Sequence, residues 1–78
     1  MAGDLSMTGA YFEDGTSYHF DQGKYRIIFE GMNVIFLIMP EFTHKNRPIK
    51  MIADYQNKRF TELFADGTQT TEMFKGMI

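Results

Sequence analysis

The sequence predicts a mainly β chain: one compact domain over residues 1–78, built as a small antiparallel meander that closes into a barrel or a sandwich. Three observations predict it. Two Phe-x-Asp-Gly-Thr steps, at 12–16 and 64–68, carry the Asp-Gly dipeptide that tolerates positive φ and reverses a chain between strands. Residues 25–30 alternate, with Tyr25, Ile27 and Phe29 on one side and Arg26, Ile28 and Glu30 on the other. Residues 34–39 form the longest apolar run, far below the ~20 residues that span a bilayer and of the length of a buried strand.

Each element follows from local chemistry. The first Asp-Gly step makes a hairpin of residues 7–12 and 16–20. Read as a two-residue turn, it sets Tyr11 opposite Tyr18. Gly9, Tyr11, Tyr18 and Phe20 then share one face, and Ala10, Phe12, Ser17 and His19 the other. Residues 21–24 and 31–33 are turns. The 34–39 run is apolar on both faces and reads as a central, covered strand that ends at Pro40, which has no N–H for a ladder.

Residues 48–65 admit two readings. As a helix near 48–65 packed on a four-stranded antiparallel sheet, Ile49, Ile52, Ala53, Phe60, Leu63 and Phe64 share an apolar arc, giving an α+β fold. As strands, Gln56-Asn57 turns the chain, Asp54 faces Arg59, Ala53 faces Phe60, and the second Asp-Gly step brings Phe60 opposite Met73. Met51, Ala53, Tyr55, Phe60, Phe64 and Met73 then share a face. The strand reading has the better turn chemistry and is preferred.

Composition bounds the function. Apolar types are 44% of the 78 residues and charged types 23%, too apolar for a disordered chain. Without cysteine there is no disulfide and no thiolate metal site. Residues 1–7 lack the basic start and apolar core of a secretory signal, so a cytoplasmic setting is expected. A core this small supplies only about 3–5 kcal/mol, which favours a partner or self-association. The apolar tail, 73–78, suggests a homodimer formed through the C-terminal segment.

Charge is uneven. Residues 1–44 carry −4, residues 45–60 carry +4 and residues 61–78 carry −2, for a net −2. The basic segment interleaves aromatic rings with cations. Phe42, His44, Lys45, Arg47, Lys50, Tyr55, Lys58 and Arg59 are therefore the candidate binding residues, for a protein partner or for single-stranded nucleic acid. Five cations in an otherwise acidic chain fall short of a strongly basic footprint, and solvated edge lysines explain them equally well. The acids Asp4, Glu13, Asp14, Asp21 and Glu41 suggest an anionic face that imitates phosphates, although Asp14 and Asp21 also suit turns for backbone reasons.

Catalytic patterns are absent. Ser17, His19 and Asp21 follow one strand face but would stand parallel rather than converge, without oxyanion donors. His19 and His44 match no metal-ligand spacing, and the glycines are too dispersed for a phosphate loop. No cofactor, metal or membrane is expected, and a chain this short is expected to lack a pocket. The expected role is a non-catalytic macromolecular binding module: a small protein-binding inhibitor or adaptor, such as a phage-type inhibitor of a host enzyme. Single-stranded nucleic-acid binding by a small β-barrel is the alternative, and a homo-oligomeric structural protein the third.

Overall fold

The computed structural model describes residues 9–77. The expected start of the first strand at residue 7, together with Asp4 and Ile78, lies outside this range. The described residues form seven strands: β1 (Gly9–Phe12), β2 (Ser17–His19), β3 (Tyr25–Glu30), β4 (Asn33–Ile38), β5 (Lys50–Asp54), β6 (Arg59–Leu63) and β7 (Gln69–Met77). Short 3-10 turns stand at Gln22–Lys24 and Pro40–Phe42. The helix considered for 48–65 is absent; that stretch is β5, a turn and β6. Asp54 pairs with Arg59 and Ala53 with Phe60, as the turn chemistry requires.

All neighbours are antiparallel, in the order β2-β1-β7-β6-β5-β4-β3. This is not the simple meander expected, in which each strand pairs with the next. β2 and β3 are consecutive in the chain yet occupy opposite edges of the sheet. The connecting residues do not reverse the chain into a hairpin. Gly23 N and Lys24 N both bond back to Asp21, through its Oδ1 at 3.0 Å and its carbonyl at 3.0 Å, and the chain crosses over instead.

β7 makes that crossing possible. Its first half, residues 69–73, pairs with β6, and its second half pairs with β1, where the register shifts between Tyr11 and Phe12. The β1–β2 hairpin is thereby carried over the five remaining strands. Among the described residues the buried hydrophobic core is Ala10, Phe12, Tyr25, Val34, Phe36, Met51, Ala53, Phe60 and Phe74. Tyr18 and Phe20 pack against them, with Phe20 5.0 Å from the Phe36 ring and 6.0 Å from Tyr25. No described ladder closes the sheet between β2 and β3.

The two Phe-x-Asp-Gly-Thr segments form the same turn twice. Gly15 N donates to Phe12 O at 3.1 Å and Gly67 N to Phe64 O at 3.0 Å, and both glycines have φ of 91°. Thr16 and Thr68 donate backbone and hydroxyl hydrogens to Asp14 and Asp66 respectively. The loop is three residues long with a glycine bulge, not the two residues expected. That single extra residue shifts both registers by one. Tyr11 faces Ser17 rather than Tyr18, and Phe60 faces Glu72 rather than Met73. Ala10, Phe12 and Tyr18 therefore turn inward while Tyr11 turns out, and Met73 is 46% exposed on the outer face. The 34–39 run is also corrected: Val34 and Phe36 are buried, but Ile35 and Leu37 on the outer face stay half-exposed, with nothing covering them among the described residues.

An added Cβ at either turn glycine meets no atom, so the cost of Gly15→Ala or Gly67→Ala is backbone strain, about 1–2 kcal/mol each by urea denaturation. Hydrogen bonds from Thr16 and Thr68 hold the carboxyls of Asp14 and Asp66 below the usual carboxylate range. Their contribution is present above the ordinary carboxylate pKa and is lost as pH falls through the lowered value. Melting temperature should drop on acidification below about pH 4, less steeply in Asp66→Ala.

Candidate functional site

A cleft of about 380 Å³ opens where β2 and the 20–24 connection meet the long loop between β4 and β5. Tyr18, His19, Phe20, Asp21, Lys24, Tyr25, His44, Asn46, Arg47 and Pro48 line it. A chain this short is expected to lack a pocket; it has this cleft, which is open to solvent rather than enclosed. The fold leaves the space because its two edges approach without pairing.

The cleft is built by a few fixed contacts. The Tyr25 hydroxyl donates to Pro48 O at 3.0 Å in a buried position, pinning the loop to β3. Arg47 Nη1 donates to Phe42 O, closing the loop on itself. Lys24 Nζ lies 2.9 Å from Asp21 Oδ2 and 5.4 Å above the Phe42 ring. His44 Nδ1 accepts from Asn46 N at 3.1 Å, which leaves Nε2 to carry the proton of the neutral ring. Burial, followed by the charge of Glu62, pushes the Tyr18 phenol upward, while Arg47 opposes the shift. Burial also raises Tyr25, again against Arg47. Asp21 is held low by the Lys24 hydrogen bond first, then by Gly23. The guanidinium of Arg47 thus acts on three walls of the cleft. Its chemistry suits an anionic group beside an aromatic surface. No described hydrogen bond joins a histidine to a hydroxyl, and among the described residues no three His, Cys, Asp or Glu converge as metal ligands.

The basic segment is divided between two ends of the sheet. Phe42, His44, Lys45 and Arg47 belong to the loop at the cleft. Lys50 begins β5 on the outer face, opposite Leu37 and Leu63. Tyr55, Lys58 and Arg59 stand at the far end of β5, a strand about 13 Å long at the usual rise, with Arg59 opposite its last residue, Asp54. There Tyr55 packs edge-on to Phe74 at 5.3 Å, and Lys58 takes a positive φ of 56° in the turn. The eight residues do not form one patch. The remaining cleft residues carried no sequence signal as a group, because only the crossover of β2 brings them to the loop.

A second surface has more order. On the outer face the registers align Ile28, Ile35, Ile52, Thr61 and Thr71 in one row across five strands. One flanking row is Arg26, Leu37, Lys50, Leu63 and Gln69; the other is Glu30, Asn33, Asp54, Arg59 and Met73. Ile28 is 38% exposed, and Ile35, Leu37, Ile52 and Leu63 are half-exposed. The face has an aliphatic centre with basic residues on one side and mainly acidic residues on the other.

The chain matches no family model, and no curated protein or solved structure shows significant similarity to it. Among the described residues no helix is long and apolar enough to cross a membrane.

Tyr25→Phe removes the tether of the loop and leaves Pro48 O unpaired, at a cost of about 1–3 kcal/mol. Limited trypsin digestion after Lys45 should accelerate in this variant, while the far turn at Lys58 keeps its protection.

Proposed function

We propose that the chain is a non-catalytic protein-binding module, an inhibitor or adaptor, that docks a protein partner on the outer face of the five-stranded portion of its sheet. The observation that carries this reading is the Ile28–Ile35–Ile52 row with its oppositely charged borders. An interface has this anatomy: an apolar centre that loses water on contact and a charged rim that sets orientation. A covered strand would leave no such row open, and a purely solvated sheet face would alternate polar residues at these positions.

The cleft supports a second reading. Tyr18, Phe20 and Tyr25 offer ring surfaces beside Arg47 and Lys24, a combination that takes a stacked base and its phosphate. Separation of Lys58 and Arg59 from the loop narrows that reading to the residues around the cleft.

One set of variants distinguishes the two. Ile35→Arg, checked for folding by circular dichroism, should weaken a partner protein captured from the source cell by more than ~30-fold, as loss of a central contact does. Lys45→Ala combined with Arg47→Ala should leave that binding intact. The opposite pattern, with a labelled single-stranded oligonucleotide released steeply by salt and lost only in the loop variant, selects the cleft.

A further inference from the structure

We infer that a second copy of this chain adds to the open edge of β3, antiparallel about a two-fold axis at Ile28, so that one sheet continues into the next. This surface is the strand edge rather than the sheet face, and it needs no other partner.

Beyond Tyr25, where Phe20 packs, the edge of β3 is open among the described residues. β3 ends the strand order and pairs only with β4, through an unbroken register from Tyr25↔Ile38 to Glu30↔Asn33. Met39 N donates to Lys24 O at 2.9 Å, one step beyond that ladder. Antiparallel alternation then turns the backbone groups of Arg26, Ile28 and Glu30 toward β4 and those of Ile27 and Phe29 outward. No described strand takes them. Proteins normally blunt such an edge with charged side chains, proline, a bulge or extreme shortness. Residues 25–30 contain no proline or bulge, and their two charges, Arg26 and Glu30, are of opposite sign and so repel a second strand only in the wrong register, whereas the other edge, β2, is only three residues long.

The edge is also complementary to itself. With Ile28 on the axis, Ile27 of one copy meets Phe29 of the other, and the outward N–H and C=O groups of both pairs face each other. Arg26 of each copy meets Glu30 of the other, on the outer face. Within one copy Arg26 stands opposite Leu37 and Glu30 opposite Asn33, and neither forms an ion pair among the described residues. An axis at Ile27 sets Arg26 against Ile28, and an axis at Phe29 sets Glu30 against Ile28, so within β3 only the Ile28 register joins both charges. It also covers Phe29, 59% exposed, and runs the two isoleucine rows together. Strand addition with isologous charge pairs is an established way to build a symmetric dimer.

Sedimentation equilibrium of the chain alone tests the inference. The wild type should be dimeric, and Arg26→Glu or Glu30→Arg alone should weaken the dimer by about tenfold or more, because like charges then oppose each other. The double swap R26E/E30R should restore it. An equimolar mixture of the two single variants should form a heterodimer, since one copy then offers two acids and the other two bases. A wild type that stays monomeric up to about 1 mM, the weak limit of specific association, overturns the inference. So does a dimer indifferent to the single swaps, or one that neither the double swap nor the mixture restores.

Discussion

Phe20 is the residue that ties one end of the strand order to the other. It follows the last residue of β2, and its ring lies against Phe36 of β4 and Tyr25 of β3. Opposite edges of the sheet are thereby held within reach of a short connection. The rest of the aromatic core extends from this point: Tyr18 against Phe20 and Phe60, Phe12 against Phe60, and Phe60 against Phe74. With no disulfide, these ring contacts and the apolar area they bury are what set the hairpin over the sheet.

The same closure explains where polar chemistry gathers. Edges that approach without pairing leave a cleft, and the loop after β4 lines its side. Charged residues cannot enter the aromatic core unpaired, so Arg47, Lys24 and Asp21 collect at this mouth, each with a partner. On the outer face of the sheet the aliphatic row stays partly in contact with water. One molecule thus offers a polar cleft at a seam and an apolar band on a face.

Much of the architecture was legible in the sequence. The alternation of residues 25–30 gave the faces of β3 correctly, and the Asp54–Arg59 pairing followed from turn chemistry. The register errors have one origin. Asp-Gly alone does not distinguish a two-residue turn from a three-residue turn with a bulge, and the difference moves every later side chain to the other face. Tyr11 and Met73 were misplaced by that step. The β2 crossover was illegible because Asp21-Gln22-Gly23-Lys24 resembles a hairpin turn locally, and only the packing of Phe20 directs it elsewhere. The basic segment read as a patch because neighbours along a chain were treated as neighbours in space; an extended strand carries its two ends apart.

The position of β7 has a consequence for how the chain comes to be folded. It is the last strand in the sequence but lies inside the sheet between β1 and β6, and the second ladder of Ala10 must wait for Met77. While β1 to β6 leave the ribosome, the first hairpin has no neighbour to join. Closure is a long-range event with a large loop-entropy cost, typical of slow folding. Until it happens, the β1–β2 hairpin and the β3–β6 meander are separate units, each with an unpaired edge where β7 will lie.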